Sequence, residues 1–167
     1  MTILVLPFDK RGPIPNSPRF PALVYRQAFA ADQANLATAM ERRFEENGWP
    51  PAWRNGIYDF HHYHMKGHEL LGIAGGSAEL VLGGEGGRKL GVHAGDVVLL
   101  PAGTGHCRFS ASSDFLVVDA YPPGQSGDVM RDAPTAEIRA AISRLGRSVS
   151  DPLSGRQGPT LHWRDGL

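Results

Sequence analysis

The stretch Asp59-Phe60-His61-His62-Tyr63-His64-Met65-Lys66-Gly67-His68-Glu69 places four of the chain's seven histidines within eight residues. Imidazole is the commonest transition-metal ligand in proteins. The neighbouring Ile57, Tyr58, Phe60 and Tyr63 are strand formers, so the run reads as a strand over 57–64. On a strand, residues i and i+2 point to one face. His62 and His64 would then stand side by side, with the Glu69 carboxylate following after a tight turn. His61 has the opposite parity and should face away. Hydrogen-bonded core histidines would give the same pattern. A tag or a solvated loop fits poorly with an internal run interleaved with aromatics.

A second stretch lies about forty residues on. Gly95-Asp96 is a turn signal, and Val97-Val98-Leu99-Leu100 is a short apolar run of the kind buried on both faces. Pro101-Ala102-Gly103-Thr104-Gly105 supplies a fixed φ and permissive glycines for a reversal. His106 then opens the next strand and is a candidate further ligand.

These two stretches resemble the motifs of the cupin superfamily. The first motif is a glycine, five residues, His-x-His, three or four residues, a glutamate, six residues and a glycine; Gly56, His62, His64, Glu69 and Gly76 fill it. The second is a glycine, five residues, Pro-x-Gly, two residues, a histidine, three residues and an asparagine; Gly95, Pro101, Gly103 and His106 fill it, with Ser110 in the asparagine position. Trp53–Tyr58 and Asp114–Val118 look like a narrower group, small bacterial single-domain cupins without an assigned substrate. The resemblance implies an all-β fold, a double-stranded β-helix or jelly-roll barrel. It also implies one metal held by His62, His64, Glu69 and His106. His68 is the alternative to Glu69 if the turn at Met65-Lys66-Gly67 shifts the register; the family spacing favours Glu69.

Around the motifs the chain divides into three blocks of one structural domain. Residues 1–55 read as an N-terminal arm, with a proline-punctuated loop, a strand over Ala22–Phe29, and a helix from the candidate N-cap Asp32 to Asn47. Leu36, Met40 and Phe44 give that helix one apolar face toward the barrel. Residues 56–121 read as the barrel, with strands near 57–64, 69–74, 77–82, 88–93, 96–100, 105–111 and 114–121. Gly83–Gly87 is a hairpin loop, lacking the Lys-Ser/Thr ending and the helix of a phosphate loop. Residues 122–167 read as a C-terminal arm with a short helix at about Thr135–Leu145 and Trp163 as an anchor.

Composition narrows the partners. A chain of 167 residues can bury a real core. Its 17 basic and 17 acidic side chains balance, and no basic run interleaves with aromatics, which argues against nucleic acid. The single Cys107 cannot form an internal disulfide and suits a reducing cytoplasm. Ile3–Leu6 is too short for a signal peptide, and no apolar run is long enough to span a membrane. An open edge at Ala22–Phe29 would invite pairing, and cupins commonly pair subunits, so a homodimer is expected.

Three imidazoles and one carboxylate suit one divalent transition metal: Fe, Mn, Ni, Cu or Zn. Tyr58 and Phe60 share parity with His62 and His64; Arg108 and Ser110 share parity with His106. With no intervening bulge, all should line the metal face. Tyr58 and Arg108 are the catalytic candidates, Arg108 as a partner for a substrate carboxylate or phosphate. Cys107 should pack outside the barrel. His93 and His162 read as structural or exposed. The chain is expected to be a metal-dependent enzyme on a small metabolite, of dioxygenase or isomerase/lyase type. The alternative is a non-enzymatic binding or sensing cupin with a structural metal.

Overall fold

The structure, a computed structural model, describes residues 1–163. Its strands are β1 (Thr2–Leu6), β2 (Ala22–Arg26), β3 (Pro51–Asn55), β4 (Glu69–Gly75), β5 (Ser77–Leu82), β6 (Arg88–His93), β7 (Val97–Leu100), β8 (His106–Ala111) and β9 (Leu116–Ala120). They form two antiparallel sheets, one ordered β1-β2-β7-β4-β9-β3 and one ordered β6-β5-β8. The α-helices among the described residues are α1 (Leu36–Glu46) and α2 (Ala136–Arg144). This is the expected all-β jelly roll with an N-terminal helix and a short C-terminal helix.

Strand parity builds three layers. Between the sheets lies one core of Val24, Leu71, Ile73, Leu80, Val92, Val98, Leu100 and their neighbours. The residues between them in sequence, such as Leu23, Tyr25, Leu70, Val97, Leu99 and Val118, point to the other side of the larger sheet. There they pack with Leu36, Met40 and Phe44 of α1, and with Trp49, Phe20 and Trp163. The larger sheet is thus covered on both faces, and all four residues of β7 are buried. This explains a continuous apolar run in place of an alternating one.

Several sequence expectations need correction. Residues 57–64 are not a strand: β3 lies earlier, and the histidine run is irregular, held by isolated bridges His62↔His106 and Tyr63↔Met130. Ile3–Leu6 belongs to a strand, β1, and β1 rather than β2 is the edge of the larger sheet. Helix α1 starts at Leu36 after Asn35, which is left-handed at φ 53 and makes no side-chain cap, so Asp32 is not the N-cap. Thr135 does cap α2, its side chain accepting from the Ile138 N–H at 3.2 Å.

Helix α1 reaches the sheet over a glycine. A Cβ on Gly72 would meet Met40 Sδ at 2.8 Å and the Phe44 ring at 3.0 Å. Gly72→Ala should therefore push α1 off β4 and lower the unfolding free energy by about 1–3 kcal/mol. Urea unfolding with an unchanged m-value is the measurement; an unaltered midpoint would contradict the close approach.

Candidate metal centre

Two main-chain junctions bring the histidines together. His62 N–H donates to His106 O at 3.2 Å, and His106 N–H donates to His62 O at 2.9 Å. Gly103 N–H donates to His64 O at 2.8 Å. The turn Pro101–Gly105 is thereby stitched to the histidine run. His62, His64 and His106 are all buried, and each offers a ligand atom within 4.8 Å of the other two.

The rings are held from behind. His62 Nδ1 lies 2.9 Å from Phe60 O, His106 Nδ1 lies 3.0 Å from Thr104 O, and His64 Nδ1 bonds Asp128 O. A carbonyl only accepts, so each Nδ1 carries the proton and donates. That leaves Nε2 of each ring for the interior, the arrangement that orients metal-binding histidines.

The Glu69 carboxylate completes the group. Its Oε2 lies 3.0 Å from His64 Nε2 and 2.9 Å from His106 Nε2. Its Oε1 accepts from the Tyr121 hydroxyl at 3.1 Å. Burial opposes its ionisation, but the charge on His64, then His106, holds it well below the usual carboxylate range. Burial would depress His64; the Glu69 carboxylate outweighs that and pushes the imidazole up to about 9. His62 is pressed down to about 3 by burial and then by the neighbouring His106. The Asp119 carboxyl is pushed up to about 10 by burial and then by Glu69, so it stays protonated. Its Oδ1 is buried without a hydrogen-bond partner among the described residues.

The histidines and Glu69 open onto a cavity of about 330 Å³, also lined by Tyr58, Arg108, Asp119 and Tyr121. Arg108 reaches this cavity, its Nη2 3.9 Å from Asp59 Oδ2. Tyr58 stacks on Phe60 with centroids 4.8 Å apart and meets His62 edge-on at 5.3 Å. Phe60 backs Tyr58 without lining the cavity. Ser110 does not line it either: a bulge shifts the β5–β8 register, with Leu80 opposite Arg108 but Glu79 opposite Ser110. Phe109 takes up the extra position, which reverses the parity beyond it.

His68 is turned away from this group. Its Nδ1 accepts from Ala102 N–H at 2.9 Å, and its Nε2 donates to Gly146 O at 2.9 Å. Its ring meets Trp163 at 4.8 Å and Phe20 at 5.9 Å, in the outer layer. His61 also lies outside the group, its Nδ1 buried without a hydrogen-bond partner among the described residues. His93 is exposed at the end of β6, and the side chain of His162 lies outside the described residues. Cys107 is buried on β8 and its thiol is pushed up by burial.

Three contributors escaped the sequence reading. Asp119 and Tyr121 sit two apart at the end of an apolar strand, a parity signal that was there to be used. Asp128 gave none. Its carboxylate accepts from Met65 N–H at 3.0 Å and Lys66 N–H at 3.0 Å, fixing the turn that carries His64. Around it, residues 122–132 run as a strap along the histidine run. Gln125 Oε1 accepts from His68 N–H at 2.9 Å, and Tyr63 exchanges two backbone bonds with Met130.

Over 156 residues the chain is 36% identical to the uncharacterized protein YjlB of Bacillus subtilis (strain 168), covering 92% of each. No family model matches the chain. Among solved structures, a DUF861 family protein of Thermotoga maritima superposes with a TM-score of 0.35 at 23% identity, covering 53% of this chain and 92% of that one. Streptomyces albus HEPD, with 2-hydroxyethylphosphonate and Fe(II) bound, gives a TM-score of 0.28 at 12% identity, over 79% of this chain and 22% of that one.

His68 carries a pH prediction of its own. Burial lowers it to about 4 in the folded chain, against about 6.5 when unfolded. The neutral ring therefore contributes stability that is present above pH 6.5 and lost as pH falls toward 4. The loss should be about 3 kcal/mol. His68→Gln should flatten that part of the stability–pH curve. Equal slopes for the two proteins between pH 7 and 4 would show that His68 is not the group responsible.

Proposed function

The chain belongs to one family with YjlB of Bacillus subtilis, and we propose that it is a metal-binding cupin acting as a metal-dependent enzyme on a small molecule. The observation carrying this reading is the convergence of three buried imidazoles, each with its Nδ1 tied to a backbone carbonyl, at the floor of an open cavity. Such a donor set fits one Fe, Mn, Ni, Cu or Zn ion, with Glu69 as the fourth ligand. When bound, the ion supplies Lewis-acid polarisation for isomerase or lyase chemistry, or, if redox-active, dioxygenase chemistry.

The protein's own groups have defined tasks in this reading. His64 must release its Nε2 proton to offer a lone pair, so loading releases protons and weakens as pH falls. The Tyr121 hydroxyl holds Glu69 Oε1, which leaves Oε2 toward the histidines. Asp128 fixes the ring and the turn of His64. Arg108 attracts an anionic group of the substrate into the cavity.

Elemental analysis of protein purified without added metal should find one ion per chain. Replacing His62 and His106 together with Ala should abolish it; full metal content in that variant would overturn the assignment. Glu69→Gln should weaken binding more than His68→Gln, and the reverse ranking would move the fourth ligand. Asp128→Ala should cost about 10–100-fold in metal affinity, with Asp128→Asn closer to wild type because an amide oxygen also accepts. Turnover of any small substrate that stops on chelation would support the enzyme over the binding module.

We also propose that two chains pair along β1. That strand lies at one edge of the larger sheet, and Val5 on it is exposed. Light scattering should give twice the chain mass at micromolar concentration; a single-chain mass would contradict pairing.

A further inference from the structure

The cavity has an apolar lip that the metal-site reading does not use. Among the described residues, the large hydrophobic side chains left exposed are Met1, Val5, Trp53, Tyr58, Phe109, Val129 and Val149. Three of them, Trp53 (40% exposed), Tyr58 (46%) and Val129 (45%), line the cavity that holds His62, His64 and His106. They come from two segments far apart in sequence: β3 with the loop that follows it, and the strap. Single exposed apolar residues need no explanation, but apolar groups converging on one mouth from independent segments do.

The lip is also built rigidly. Tyr58 stacks on Phe60 with the rings 19° apart, and the Arg131 guanidinium lies 4.2 Å from the centroid of Phe60. The edge of Tyr58 rests on His62. Val129 is fixed by its neighbours, since Asp128 caps the Met65–Lys66 turn and Met130 pairs with Tyr63. An aromatic face held in place beside solvent loses little freedom when something covers it. Beneath the lip the character changes: Arg108 is a cation, and the histidines and Glu69 form the floor.

We propose that the site takes a small acid with a flat apolar body, its carboxylate toward Arg108 and the histidine floor and its ring against Trp53, Tyr58 and Val129. This rests on the metal-site reading above and adds the class of substrate. The volume, about 330 Å³, lies at the small end of ligand sites, so one ring fits the space better than two or a long chain. A polyol or sugar acid would match the floor and leave the apolar lip in water.

The test compares a head with a head plus ring. Zn(II)-loaded protein is titrated with acetate and with benzoate, followed by calorimetry and by ring-proton shifts of Trp53 and Tyr58. Benzoate should bind at least about tenfold more tightly, from the apolar area it adds. Trp53→Ser should bring the two within about threefold while leaving acetate unchanged. Val129→Ser, on a different segment, should move the ratio in the same direction. Arg108→Gln should weaken both acids alike. Equal binding of the two acids, or gluconate tighter than benzoate, overturns the proposed ring seat and leaves the metal reading intact. Binding of neither acid overturns the seat and the role of Arg108 together. Failure of the protein to take up zinc or any of Fe, Mn, Ni and Cu overturns the metal reading itself.

Discussion

A charge buried in a β-barrel governs this site. The carboxylate of Glu69 starts β4 at the barrel mouth and is almost wholly out of water. A bare carboxylate there would cost several kcal/mol, so it must be surrounded by donors or cations. It has His64 and His106 on one oxygen and Tyr121 on the other. Each neighbour needs its own support, from Asp128 O behind His64 and Thr104 O behind His106. The same charge raises His64, and after burial it is what raises Asp119. In the chain alone a proton on His64 balances the carboxylate, and a divalent cation among the same nitrogens would balance it more strongly.

What the sequence made legible was chemistry at rare residue types and turns. The set His62, His64, Glu69 and His106 was readable because its spacing matches the two cupin motifs that the sequence resembles. Their convergence did not depend on the expected strand over 57–64. Two backbone bonds between His62 and His106 suffice to align that pair. The strand itself was misplaced because the strand formers Ile57, Tyr58, Phe60 and Tyr63 lie in an irregular segment, after the strand has ended. Pro51 opens that edge strand, where a missing N–H breaks little of the ladder. Parity placed Arg108 on the cavity and failed two residues later at Ser110, because a bulge leaves no mark in composition.

The strap was illegible for a different reason. Its hold on His64 runs through the backbone oxygen of Asp128, a group every residue has. Its hold on the turn runs through the Asp128 carboxylate across 63 residues of sequence to Met65. No local period encodes a bond of that kind. It emerges only once the sheets have brought the two segments together, so residues 122–132 looked like an arm from outside and are a wall of the cavity.

The contrast between His68 and Glu69 shows how the layers divide the labour. Successive residues entering a strand point to opposite faces of the sheet. Glu69 faces the inner side with the other candidate ligands. His68 therefore faces the outer side, among Phe20 and Trp163. A register slip that brought His68 inward would carry Glu69 outward and, with it, turn Leu70 into the barrel in place of Leu71. The two-sided burial of the larger sheet resists that exchange, since both faces are already packed. His68 then serves the site indirectly. By accepting from Ala102 and donating to Gly146, it ties the turn before His106 to the C-terminal segment. The outer layer, with Asp151 accepting from the Tyr25 hydroxyl and Trp163 donating to Pro21, is in this way continuous with the loop that positions His106. The rigidity a binding centre needs is supplied by packing on the far side of the sheet from the centre itself.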